Sequence, residues 1–306
     1  MINGILNIYK EKGYTSHDVV AKLRGIVGQK KIGHTGTLDP DAQGVLPVCL
    51  GRATKLCDML TDKNKTYGTV LLLGKTTDTQ DISGEVLKTG DTSMLTKEEV
   101  RSCILGFVGE YDQLPPMYSA LKVNGKKLYE LAREGKVVER KTRRVQILDI
   151  QIKEMNLPRV RMEVSCSKGT YIRTLCHDIG EKLGCGGCME ELLRTRVSSF
   201  ELKNSLKLDE VKAYREQGKL SDILIPVDEM FADRKAVTVK KQFEALAYNG
   251  NELKVSAMKM REEVVDNEQV RLYDEAGHFI GIFIYHGKQQ RFIVEKMFLD
   301  QEELKK

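Results

Sequence analysis

Between Gly33 and Pro47 the chain carries three glycines and two prolines in fifteen residues. Helix interiors and central strands reject such a density, because proline lacks a backbone donor and fixes φ while glycine costs backbone entropy. The stretch is therefore expected to be a loop. Asp39 stands inside it between Leu38 and Pro40, and the proline biases Asp39 itself toward an extended backbone, which aims the carboxylate. With an ordinary pKa of about 3.9 the group is ionised at neutral pH. With His34 five residues upstream, it suits the role of nucleophile or of general base. The alternative is an Asx-type turn in which Asp39 only bonds the backbone that follows.

The 306 residues make room for one large or two ordinary domains, and a hydrophobic content of 41% supplies real cores. No run approaches the roughly 20 apolar residues of a membrane span, and Met1 to Lys10 has no apolar block of signal-peptide type. A soluble, cytoplasmic protein with no membrane partner is expected. Seven scattered cysteines fit a reducing compartment better than a disulfide framework. The net charge is +5, yet Lys122 to Arg144 alone holds nine Lys or Arg against three Glu. One concentrated basic patch on an otherwise balanced chain points to a polyanionic partner at one place.

In chain order, Ile5 to Tyr9 reads as a strand, followed by a turn around Lys10 and Gly13. Ser16 is placed to cap a helix over His17 to Val27, with Val19, Val20, Leu23, Ile26 and Val27 on one face and Gly28 at its end. Thr54 to Leu60 looks helical and leads through Lys65 and Tyr67 into a strand at Gly68 to Leu73. The segment Gly74 to Ser93 is polar and turn-rich, and Thr96 with Glu99 forms a capping box for a helix to about Leu105. In the basic segment, charges interleave with Tyr118 and Tyr129 in loop-like sequence, as where phosphates and unstacked bases are gripped together. Strands are expected at Arg144 to Lys153 and Arg159 to Ser167. A strand-to-helix junction then carries Arg173 on the helix's first turn, the wrong end of the dipole for a cation unless a carboxylate partners it. Cys185 and Cys188 make a single C-x-x-C with no second pair, so no metal is expected and a glycine-rich lead into a helix is the preferred reading. From about Ala232 the pattern turns β-rich, with runs at Ala236 to Val239, Gln269 to Tyr273, Phe279 to Tyr285 and Arg291 to Phe298. A charged tail, Gln301 to Lys306, ends the chain.

Taken as a run, GHTGTLDPDAQGVLPV from Gly33 to Val48 resembles the catalytic signature of the TruB family of tRNA pseudouridine synthases. The segments PPMYSALK with NGKKLYELAREG, and KGTYIRTL, are similar to that family's later motifs. The resemblance is strong over residues 2 to 230 and loose beyond. It implies that Asp39 is the nucleophile, that Arg173 pairs with it, and that His34, Tyr67, Tyr171 and Leu192 hold the target base. Lys10 falls in the family's opening motif, where Glu11 replaces the usual proline, and is expected among the substrate-binding residues. Leu193 replaces the first arginine of the family's L-R-R-T, which puts one contact in doubt.

The implied fold is α+β, a pseudouridine synthase catalytic domain around a largely antiparallel sheet over residues 1–231, with an RNA-clamping insertion at about 113–144. A PUA-like RNA-binding domain is expected over 232–306. The implied reaction is isomerisation of uridine 55 in the T-loop of tRNA, with the base flipped out of its stack and neither cofactor nor metal needed. A monomer without protein partners, and a possible added role in tRNA folding, complete the expectation. Three alternatives stand beside it: an RNA-guided relative, a non-catalytic tRNA-binding protein, and a glycosidase using Asp41 as the second carboxylate.

Overall fold

The structure is a computed structural model that describes residues 1–123 and 125–299; the charged tail expected at 301–306 lies outside the described residues. Its centre is a nine-stranded sheet. Along the main path the strands run Gly4–Lys10, Gln43–Leu50, Gly187–Val197, Lys65–Leu73, Arg159–Cys166, Arg143–Asn156 and Gly109–Gln113. Short strands Ile32–His34 and Phe200–Glu201 attach at the side. Pairing is antiparallel with one exception: Gln43–Leu50 and Gly187–Val197 run parallel and share only Leu193 opposite Gln43 and Arg194 opposite Gly44. The largely antiparallel, mixed α/β architecture expected from the sequence is what the chain adopts.

Helices cover one side of each half of this sheet. Lys97–Leu105 and Ile172–Lys182 close a core containing Leu71, Ile147, Val164 and Ile179. Ser16–Val27 and Leu208–Glu216 close a second around Ile8, Leu23, Val48 and Val211. The helix Ser16–Val27 exists because Val19, Val20, Leu23 and Val27 recur on one face and are buried. Its cap is Thr15, one residue earlier than expected: the Asp18 amide donates to Thr15 Oγ1 at 3.0 Å, and the Thr15 amide donates back to the Asp18 carboxylate at 2.8 Å. Ser16 is thereby released for another task, described below. Gly28 ends the helix in the left-handed region, at φ +75°, and the box at Thr96 and Glu99 forms as expected.

Beyond residue 232 a six-stranded sheet runs Leu253–Lys254, Arg291–Met297, Phe279–His286, Gln269–Tyr273, Lys235–Val239 and Met258–Lys259. Its Ile282, with Phe298 just beyond the strands, packs into a core shared with Ile5, Val45, Cys49 and Phe231 on the far side of the first sheet.

Three expectations are corrected. The Gly33–Pro47 stretch is not all loop, for Gln43–Leu50 is a strand that includes Gly44 and Pro47. Pro47 fits because its carbonyl accepts from Thr35 N at 3.1 Å, so its donorless nitrogen faces the same side, past the final pair of the short strand, His34 with Val48. The glycines after Cys185 open the strand Gly187–Val197 and not a helix. Within the polar segment 74–93, Lys75–Thr77 and Val86–Thr89 pair as a small ribbon.

Candidate active site

The cleft lies on the approach to the two positions that the parallel strands share, lined by residues 37–43 on one side and 189–193 on the other. Each end of the Asp39 loop is tied down. Ser16 Oγ accepts from Leu38 N at 2.9 Å, and Gly13 N donates to Pro40 O at 2.9 Å. Lys10, fully buried, donates from Nζ to Ala42 O at 2.6 Å, Pro40 O at 3.0 Å and Glu11 O at 3.1 Å. Arg194, also buried, donates from Nε to Val45 O at 2.7 Å and from its terminal nitrogens to Gly36 O at 3.2 Å and Thr37 O at 3.4 Å. Gly44 is obligatory in this arrangement: its φ is +107°, and a Cβ there would run into the Arg194 backbone.

These ties leave the Asp39 side chain free of the loop's own bonding. A turn does form, but the Asp39 backbone carbonyl closes it by accepting from Ala42 N at 3.1 Å. The carboxylate meets Arg173 instead, Nε to Oδ2 at 3.1 Å. The guanidinium is held on its other edges: one terminal nitrogen donates to Thr79 O at 3.1 Å and lies 3.7 Å from Asp81 Oδ2, and the other donates to Tyr118 O at 2.8 Å. Arg173 therefore joins the Asp39 loop, the ribbon segment and the basic insertion at one buried point. A charge-assisted contact of this kind both orients a carboxylate and favours its ionised form.

Two effects oppose each other at Asp39. Burial pushes its carboxyl above the ordinary carboxylate range, and Arg173 pulls it back. The side chain keeps 44% of its surface open, and that surface faces a cleft of about 1360 Å³ rather than bulk solvent. A ligand that fills this cleft shields the carboxylate from solvent and leaves Arg173 as its main counterweight. Around the carboxylate, Lys10 is lowered to about 8 by burial, and burial with the nearby Arg194 charge holds His34 below its usual value, neutral at pH 7. Burial also raises Tyr67, so the phenol keeps its proton, although Arg194 works in the other direction.

His34, Asp39, Arg173 and Leu192 line the cleft, together with Tyr118 and Tyr129 from the basic insertion. Tyr67 and Tyr171 are not among the lining residues. Tyr67 is 8% exposed, and Tyr171 is held through its backbone, its amide donating to Gln113 Oε1 at 2.7 Å. Lys10 is below the loop, its three donors spent on carbonyls, so the structure places it as a brace and not as a surface that a substrate reaches. Leu193, the departure from the family pattern, also lines the cleft, while Arg194 takes the buried position. Sequence reasoning placed Ser16 only as a helix cap and Arg194 only within the L-R-R-T match, and it did not single out Asp81 or Gly44. Ser16 and Gly44 belong to motifs already noticed; Asp81, in a polar turn, gave no signal. Among the described residues no cluster of His, Cys, Asp and Glu could hold a metal ion, and none of the helices is long and apolar enough to cross a membrane.

Residues 24–172 match the model of the TruB family pseudouridylate synthase N-terminal domain, and residues 173–232 match that of the tRNA pseudouridylate synthase B C-terminal domain. The tRNA pseudouridine synthase B of Lachnoclostridium phytofermentans is 53% identical over 97% of this chain and 100% of its own length. The chain belongs to the TruB family. The enzyme of the same name from Clostridium tetani is 43% identical over 92% of this chain and 95% of its own. In three dimensions this TruB chain is similar to one in the crystal structure of a Cbf5-Nop10-Gar1 complex, with a TM-score of 0.71 and 26% identity, covering 98% of this chain and 86% of the other. The resemblance carried by Gly33–Val48 thus extends over the whole TruB fold.

Proposed function

We propose that this chain is a tRNA pseudouridine synthase that isomerises uridine 55 in the T-loop, with Asp39 as its nucleophile. The observation that carries the reading is the 3.1 Å contact between Asp39 and Arg173 at the floor of a cleft large enough for a flipped nucleotide. In the reaction the N1–C1′ bond breaks and a C5–C1′ bond forms, C5 gives up its proton and N1 takes one. Nothing is oxidised or hydrolysed. Attack on C1′, attack on C6 and a glycal route all begin from an ionised carboxylate beside the target nucleotide, which Arg173 maintains as the base displaces water. His34 and Leu192 bound the base pocket, Tyr67 and Tyr171 back it, and the exposed cations of the 113–144 insertion grip the phosphates. Lys10 serves by holding the loop.

In this reading residues 1–231 are the catalytic domain and 232–306 a PUA-like RNA-binding domain, and the protein works as a cytoplasmic monomer on tRNA. The reading is tested with a T-arm stem-loop tritiated at C5 of uridine. Release of one tritium per stem-loop, lost when position 55 alone is changed to cytidine, is the expected result. Tight binding of the stem-loop without release would instead make the protein an RNA-binding or RNA-folding factor on the same scaffold.

A further inference from the structure

Arg194 is among the largest fully buried side chains of the protein, and no carboxylate pairs with it among the described residues. A buried cation without a counter-ion is costly, and burial lowers its proton affinity. Its bonding shows what that cost secures. Nε binds the Val45 carbonyl after Asp39, and the terminal nitrogens bind the Gly36 and Thr37 carbonyls before it. The residue also lies directly across from Tyr67 in the antiparallel pairing of Gly187–Val197 with Lys65–Leu73, with its guanidinium interacting with the Tyr67 hydroxyl. One rigid, planar group therefore bonds the loop on both sides of Asp39 and acts on the Tyr67 hydroxyl across the strand pair. Lysine could not do this, since a single ammonium lacks the spread of donors.

We infer that Arg194 is a positioning residue for the isomerisation: its guanidinium fixes the distance between the two ends of the Asp39 loop and sets the Tyr67 hydroxyl against that loop. The inference rests on the proposed reaction for its kinetic consequence but not for its geometry. Because the groups it holds are backbone carbonyls, which no substitution removes, the loop's order is the direct readout.

The test compares wild type with Arg194→Lys and Arg194→Gln, using the full chain and the tritiated T-arm stem-loop. Single-turnover release at saturating enzyme is expected to fall roughly 100-fold in Arg194→Lys, the scale of a 1 Å misplacement at a reacting centre, with the stem-loop dissociation constant unchanged. Arg194→Gln, which loses the charge as well, is expected to fall further. In the free proteins, amide exchange of residues 35–42 should quicken in both variants while the strands Arg143–Asn156 and Arg159–Cys166 stay protected. Wild-type turnover in Arg194→Lys, or equal losses in turnover and binding, would overturn the inference. So would unchanged loop exchange, or global loss of protection in both variants, which would make Arg194 a core residue only. Exchange needs no turnover, so an inactive wild type would refute the proposed reaction while leaving the positioning role to be judged on its own.

Discussion

Two groups of cations flank the cleft, and they are used in opposite ways. Lys10 and Arg194 on the loop side are buried, pair with no carboxylate among the described residues, and spend their donors on backbone carbonyls. In the basic insertion, Lys126 and Lys136 are about 60% exposed, and both lean on Glu134, an arrangement worth little to stability. The first group holds a backbone in one shape, and the second offers charge to whatever polyanion arrives. Sequence composition counts all of them alike. Only burial separates a brace from a grip.

Arg173, which touches both sides, sets the upper end of the expected effects. Arg173→Met should lower single-turnover release by about 10²- to 10³-fold, because it unorients Asp39 and lets burial protonate it; a variant within tenfold of wild type would remove the ion pair from the account. Lys10→Met strips three carbonyls of their donor but relieves a buried charge. The net is expected to be a loss of about 1–3 kcal/mol in urea unfolding, and an unchanged midpoint would mean the brace is dispensable.

Lys10 and a second buried lysine, Lys65, give a pH signature. Lys10 and Lys65 are both lowered to about 8 by burial, whereas an unfolded lysine titrates near 10.4. Above pH 8 the folded chain gives up these protons and the unfolded chain keeps them, so stability should rise between pH 8 and 10, by at most about 1.4 kcal/mol per pH unit for each lysine. Above pH 10 the tyrosines raised by desolvation oppose the trend, half-buried Tyr273 being raised to about 12. Lys10→Met and Lys65→Met should each flatten the rise; a flat wild-type curve would contradict the burial of both charges. The smallest effect is expected from the insertion. Lys126→Ala with Lys136→Ala should weaken stem-loop binding several-fold and reduce its salt slope by about 1–2, with saturated turnover unchanged. A fall in saturated turnover would erase the contrast between brace and grip.

The helices with a clear apolar face, Ser16–Val27 and Lys97–Leu105, were legible in the sequence, as was the strand Arg159–Cys166 with its strict alternation. The ribbon strand Val86–Thr89 was not, because all four of its residues are exposed and no face is selected. Gly187–Val197 hid behind the glycines that open it, since glycine marks a turn equally well before a helix or a strand. Asp39 stood out by its local context, and its partner Arg173, 134 positions later, was reached through family resemblance and a misplaced positive charge. Arg194 was legible only as part of the L-R-R-T match, because nothing in its neighbours indicates that an arginine will be buried with its donors on the accepting carbonyls of a loop about 150 residues upstream.

The most direct test of the account is single-turnover tritium release by Asp39→Asn at saturating T-arm stem-loop, with binding measured in parallel. Binding close to wild type and no detectable release are expected, since the amide keeps the shape of the carboxylate without its charge. Release at a rate near wild type would show that the group beside Arg173 is not the one that does the chemistry.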